Sequence, residues 1–319
     1  MTLESSDIII PNIRFVQIQT HSRCNADCVF CPYIESAHAD RPGFMTDALW
    51  NKVMENLLPF KKSIETGKIC PYLMQEPLID KTIFPKIDDI YHYFPNTTVE
   101  VSTNGAALTE KVAEKLIRCV SGKKHEIWIS HHGIDSESID HIMKIDFKKA
   151  HRNLVNFLKQ ANGQLKIRIR GAGQSRDGKF NYFSKSDYHD YWDKLFTEHN
   201  INTNGVNVNY FTFHDRAGTL HRIDRGANQF NIGKVRELGP EHPEFYCTRL
   251  DQWLHIMYDG QVRICCMDYH GEVQLPNIND MSILDYYQSD EYRKLSMMVR
   301  GKSESPDNFI CKRCVSPGG

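Results

Sequence analysis

The chain has 319 residues, 40% hydrophobic and 25% charged, an ordinary composition for a globular protein. Its 39 basic and 40 acidic side chains leave a formal charge of −1, so no global basic field recruits nucleic acid. No apolar run approaches the roughly 18 residues of a membrane span, and ten cysteines behind a start (MTLESSDIII) that does not read as a signal peptide point to metal, in reducing cytoplasm, rather than to disulfides.

A short extension, 1–13, precedes the first strand-like run, 14–20 (RFVQIQT). Directly after it, THSRCNADCVFCPY sets Cys24, Cys28 and Cys31 at the spacing Cys-x3-Cys-x2-Cys. Three thiolates are too few to close a structural metal site. On a four-iron cube they leave one iron open, and an open position marks catalysis rather than structure. A zinc site or a set of buried thiols is the alternative for such a short motif.

Helical periodicity and apolar alternation then take turns. Helices are expected at 46–61, 81–93, 109–119, 147–161 and 187–199, with Thr46 and Thr109 as N-caps. Strands are expected at 70–75, 97–103, 126–132, 164–170 and 205–213. Six strands with intervening helices imply parallel βα units over 14–215.

Strand side chains alternate between faces. If Ile167 and Ile169 pack under helices, then Lys166, Arg168 and Arg170 face inward. The same reasoning turns Asn207 and Asn209 inward opposite Val206 and Val208. It does so for Ser102 and Asn104 opposite Val99 and Val101, and for Ser130 and His132 opposite Ile127 and Ile129. A polar interior is costly unless it holds a polar guest. A half-exposed edge strand would show the same alternation.

After a linker, 216–246, the last segment, 247–319, carries a second set: Cys247, Cys265 with Cys266 adjacent, then Cys311-x2-Cys314. WLHIMYDGQVRICCMD reads as a β-hairpin turning at Asp259-Gly260. Cys247, Cys265, Cys311 and Cys314 can close on a cubane or equally on a structural zinc. Cys266 is free to exchange with Cys265, to donate a hydrogen atom, or to be a small buried residue like Cys70 and Cys119.

The triplet with its flanks resembles the radical S-adenosylmethionine (SAM) superfamily, and the Cys-x12-Gly-x4-Cys hairpin with its terminal CxxC resembles the SPASM/twitch subgroup. The resemblance implies a partial (β/α)6 barrel followed by an auxiliary-cluster domain of cysteine-rich hairpin plus helix. It implies SAM and two [4Fe–4S] clusters, one SAM-binding on the triplet and one auxiliary on the second set. Met74-Gln75-Glu76-Pro77 stands where the family often has Gly-Gly-Glu, so Gln75 and Glu76 are expected at the SAM amino group. Asn104 (in VSTNG) is expected beside the adenosyl group and Ser130 (in WISHHG) near the ribose and carboxylate. His132 replaces a common aspartate; it is a substrate ligand or proton carrier, or a satisfied core histidine. The arginine often found one helix later is missing, with Met143 near its place and Lys144 a possible substitute. Arg168 and Arg170 suit an anionic group on the substrate or the SAM carboxylate.

The implied activity is net oxidation by hydrogen abstraction from a sugar, an aminocyclitol or a similar molecule. Only 13 residues precede the first strand, so a small polar substrate is favoured over a peptide. A flavodoxin or ferredoxin is the implied electron donor, and no nucleic acid or membrane partner is expected. Radical epimerisation with Cys266 as hydrogen donor, peptide maturation and a zinc-stabilised binding module are the alternatives.

Overall fold

One sheet of eight strands organises the molecule, running across from Val206–Tyr210 through Ile167–Gly171, His125–Ser130, Thr98–Thr103, Lys68–Cys70, Phe15–Ile18 and Trp253–Ile256 to Val262–Arg263. The structure, a computed structural model, describes residues 11–40, 42–175, 178, 180–214, 216–220 and 247–314. Most of the expected N-terminal extension and of the linker lies outside the described residues. Strands β1 (Phe15–Ile18), β2 (Lys68–Cys70), β3 (Thr98–Thr103), β4 (His125–Ser130), β5 (Ile167–Gly171) and β6 (Val206–Tyr210) are parallel neighbours. They are the six parallel strands expected, in an open rather than closed sheet.

Helices Asp47–Leu57, Ile83–Tyr93, Glu110–Val120, Phe147–Ala161 and Lys185–Glu198 alternate with these strands. The branched residues Val16, Ile18, Ile69, Val99, Val101, Ile127, Ile129, Ile167 and Ile169 are buried in one core with the helices' apolar residues. Each such burial contributes about 1.5–3 kcal/mol. Thr46 caps its helix by accepting from the Leu49 amide, whereas Thr109 is an N-cap without a side-chain bond. Helix Ser136–Met143 has no counterpart in the sequence reading; an Asp135/Ser138 capping box starts it. Tyr188 packs over Gly171, where an added Cβ would stand 2.1 Å from the tyrosine ring.

Two expectations need correction. β2 is Lys68–Cys70, not 70–75, because Pro71 has no amide for the ladder and the chain then turns. Asn207 and Asn209 share a face with Arg168 and Arg170 by register, yet both are exposed, because β6 is the sheet edge.

The C-terminal hairpin forms as expected. β7 (Trp253–Ile256) pairs antiparallel with β8 (Val262–Arg263), and Gly260 sits in the turn at φ +87°. β7 also pairs in parallel with β1, matching Gln17 with His255, and so extends the barrel sheet by a seventh parallel strand.

Candidate active site

Parallel α/β sheets place their sites at the carboxyl ends of strands, and the triplet loop leaves β1 at that end. Its shape is fixed by backbone bonds. The Tyr33 hydroxyl donates to the Ser22 carbonyl (2.7 Å) and accepts from the Cys24 amide (3.1 Å). Helix Ser136–Met143 aims its last carbonyls at the loop. Val29 donates to Ile142 O (2.9 Å) and Asp27 to Met143 O (3.1 Å), which satisfies acceptors that lack intrahelical partners. Met143 thus supplies a carbonyl where the family arginine was sought, and Lys144 pairs with Asp27 at 3.5 Å. Phe30 is wedged between His132 and Phe213, each ring 4.8 Å away.

Cys24, Cys28 and Cys31 line one recess of about 420 Å³, together with Tyr33, Gln75 and Tyr269. The Tyr269 hydroxyl is 3.9 Å from Cys31 Sγ. Burial, then the nearby Glu76 carboxyl, pushes the Cys24 thiol up to about 12. A metal would displace that proton.

Glu76 lies behind the recess, almost fully buried. Its Oε1 accepts from Thr103 Oγ1 (2.8 Å) and the Leu78 amide (3.1 Å), and its Oε2 from the Asn104 amide (2.8 Å). A carboxylate has about four acceptor positions, so about one is left for a ligand's ammonium. Burial raises this carboxyl to about 7, against those three donors. Asn104 carries the network forward by donating Nδ2–H to Asn25 Oδ1 (2.8 Å) in the triplet loop. Gln75 shapes the intervening loop, its Oε1 accepting from the Leu73 amide (2.8 Å). Asn25, Tyr33, Thr103 and Tyr269 were missed from sequence: the partners of Thr103, Asn25 and Tyr269 lie 27, 79 and 238 residues away, and no local pattern marks the bonds of Tyr33 to Ser22 and Cys24.

The remaining candidates divide. Ser130, half-buried, ends β4 and pairs in register with Arg170. The Arg170 guanidinium lies between Trp128 (4.6 Å) and Phe211 (4.8 Å). Arg168 is two residues earlier on the strand, farther from the strand ends, and lies 3.9 Å from Glu126 with its side chain 41% exposed. His132 is buried against Phe30 and Phe211, and its Nδ1 has no hydrogen-bond partner among the described residues. Burial, then Arg170, holds its pKa well below the ordinary value, so the ring is neutral.

A deeper layer was also missed. Gln17, Gln19 and His255 are buried, with side-chain atoms that find no partner among the described residues. Directly after β7, Met257 packs with Tyr33, Met74 and Tyr269, against Cys24 and Cys31. Alternation along β7 places His255 one layer below that cradle.

The second set also converges. Cys247, Cys265, Cys311 and Cys314 line one cavity of about 500 Å³ with apolar walls. Cys266 is not part of that lining; its sulfur accepts from Arg249 Nη1 at 3.2 Å. Burial lowers the Arg249 pKa, but the sulfurs of Cys266, Cys265, Cys247 and Cys314 hold it above the ordinary value.

Thiolates on one zinc stand about 2.3 Å from it and so close to one another. Among the described residues no three His, Cys, Asp or Glu side chains meet closely enough to grip one ion. Recesses lined by three and by four cysteine sulfurs supply the thiolates that cubanes take as ligands. Both cysteine sets therefore fit the clusters that the sequence implied.

Residues 247–315 match the SPASM iron–sulfur cluster-binding domain. Over 304 residues the chain is 25% identical to the S-adenosyl-L-methionine-dependent 2-deoxy-scyllo-inosamine dehydrogenase of Niallia circulans, across 94% of this chain and 91% of that one. Its fold is similar to that of BtrN, crystallised with AdoMet and 2-DOIA (TM-score 0.61, 18% identity, 97% and 95% of the two chains). It is also similar to Streptococcus suis SuiB bound to precursor peptide SuiA (TM-score 0.56, 14% identity, 95% and 71%). No helix among the described residues is long and apolar enough to cross a membrane. The C-terminal region is thus a SPASM iron–sulfur cluster-binding domain, and over almost its whole length the chain is similar to an S-adenosyl-L-methionine-dependent dehydrogenase.

Proposed function

We propose that this chain is a radical SAM oxidoreductase that removes hydrogen from a polar small molecule, of the sugar or aminocyclitol class, in a net oxidation. The observation that carries the reading is the pairing of an open three-cysteine recess with a second cavity ringed by four cysteines. Cys24, Cys28 and Cys31 would hold a [4Fe–4S] cluster with SAM on its open iron, and Cys247, Cys265, Cys311 and Cys314 an auxiliary one. Bound there, these groups supply a 5′-deoxyadenosyl radical and an electron acceptor, chemistry that is the cofactors' own.

The chain's share is binding and orientation. Glu76 keeps one acceptor position for the SAM ammonium and, through Asn104 and Asn25, ties that position to the triplet loop. Ser130 lies at the strand end where the ribose and carboxylate are expected. Arg170, fixed between two aromatic rings, offers its fork to an anionic or hydroxyl group. Neutral His132 and the buried Gln17, Gln19 and His255 present donors and acceptors to a guest bearing several hydroxyls. The 25% identity to an aminocyclitol dehydrogenase over almost the whole chain supports a small substrate over a peptide. Its electron donor would be a flavodoxin or ferredoxin.

The test is anaerobic reconstitution followed by metal analysis and turnover with deuterated polyols and aminocyclitols. Expected are a brown protein with roughly eight iron and eight sulfide per chain, the content of two cubanes, and deuterium in the 5′-deoxyadenosine. A colourless zinc protein would refute the reading. Deuterium transfer from a peptide alone would refute the substrate class.

A further inference from the structure

We propose that Arg249 is the fixed counter-charge of the second cysteine cavity and raises the reduction potential of the cluster held there. This rests on the two-cluster reading above.

Arg249 belongs to the short helix Thr248–Gln252, which starts directly after Cys247. It lines the cavity with Cys247, Cys265, Cys311 and Cys314, and the rest of the wall is apolar: Leu250, Ile264, Met267, Val299 and Ile310 among it. Its Nη1 donates to Cys266 Sγ at 3.2 Å, and its guanidinium lies 5.3 Å over the Trp253 ring. The nearest carboxylate in sequence, Asp251, is paired with Arg300 at 2.5 Å. Among the described residues no carboxylate pairs with Arg249. Among the described residues, the groups facing it that can carry negative charge are cysteine sulfurs.

A guanidinium in an apolar wall is expensive to keep without an anion beside it. The arrangement is balanced once the cavity holds a cluster, which with its four thiolates is negative. Reduction adds one further negative charge. A nearby fixed positive charge favours that more negative state, and in surroundings of low dielectric it does so strongly. The requirement is for charge: the hydrogen bond goes to Cys266, which does not line the cavity, while the guanidinium lines the cavity together with the four sulfurs. Trp253, under the guanidinium, opens β7, and Met257, directly after that strand, packs beside the triplet cradle.

The experiment uses the full chain with Cys24, Cys28 and Cys31 all changed to alanine, so that only the second cluster is reconstituted. Its midpoint is measured by potentiometric titration followed by electron paramagnetic resonance. Arg249→Met is expected to retain four iron, with the equilibrium constant for reduction lowered at least about tenfold, which is ~59 mV for one electron. Arg249→Lys should restore most of the wild-type midpoint. An unchanged midpoint in the methionine variant overturns the proposal. If that variant loses its iron, the lysine variant decides. Retention at a near-wild-type midpoint supports the charge requirement, and loss in both makes Arg249 a packing residue and overturns it. A triplet-free protein with Arg249 intact that binds no iron overturns the two-cluster reading itself, and the proposal falls with it.

Discussion

Glu76→Gln tests the network behind the triplet through stability. The folded protein raises this carboxyl from 4.5 to about 7, chiefly by burial. The folded state therefore holds its proton more tightly than the unfolded chain does. Its stabilising contribution is complete below pH 4.5, falls as pH rises, and is gone above about 7. At 1.36 kcal/mol per pH unit the whole loss is about 3 kcal/mol, most of it falling between pH 5 and 8. Glutamine has no such proton. It keeps the two bonds at Oε1 but sets an NH₂ against the Asn104 amide that Oε2 accepts, a cost of about 1–3 kcal/mol at every pH. Relative to wild type the variant should gain about 2.5 kcal/mol between pH 5 and pH 8, being weaker at pH 5 and as stable or more so at pH 8. Urea denaturation of the cluster-free protein measures both differences, and contributions from other titrating groups cancel in each. A penalty equal at both pH values, within about 0.5 kcal/mol, would refute the placement of this carboxyl. The same variant should bind SAM more weakly when the triplet cluster is present.

Further outcomes follow from other sites. Cys266→Ala should retain roughly eight iron per chain and Cys265→Ala about half that; the reverse would exchange their roles, and loss of an epimer with 5′-deoxyadenosine formation intact would make Cys266 a hydrogen donor. His131 is sealed among Phe147, Tyr191 and Trp192, and burial, then His151, lowers it to about 3. Its contribution is full above pH 6.5 and is lost as pH falls toward 3, about 2 kcal/mol by pH 5. His131→Phe should remove that part of the acid sensitivity in urea melts, and an unchanged pH profile would contradict the burial. Gly171→Ala puts a methyl 2.1 Å from the Tyr188 ring and should cost about 1–3 kcal/mol, read as a lower Tm; an unaltered Tm would mean that helix Lys185–Glu198 does not sit on β5 as described.

The parts of the fold that were legible are those with a local physical signal. Ile127/Ile129 and Ile167/Ile169 alternate with polar residues because one face of each strand lies under helices, and the structure places them so. The triplet and the Asp259-Gly260 turn were readable because spacing and backbone conformation are written in adjacent residues. The edge position of β6, which exposes Asn207 and Asn209, depends on strand order, and alternation does not encode that. Nor does any local pattern announce that β7 pairs with β1, bringing His255 opposite Gln17. Glu76 was found by motif position, but its partners Thr103 and Asn104 come from the next strand. Arg249 went unnoticed because an arginine beside a cysteine is unremarkable until it is seen to share a cavity wall with four cysteines.

Reductive cleavage of SAM tests the central claim most directly. Anaerobically reconstituted protein, given dithionite or a reduced flavodoxin together with SAM, should accumulate 5′-deoxyadenosine. The protein lacking Cys24, Cys28 and Cys31 should form none while keeping its second cluster. No 5′-deoxyadenosine from fully iron-loaded wild-type protein, or equal amounts from both proteins, would contradict the assignment of the triplet as the radical-generating site.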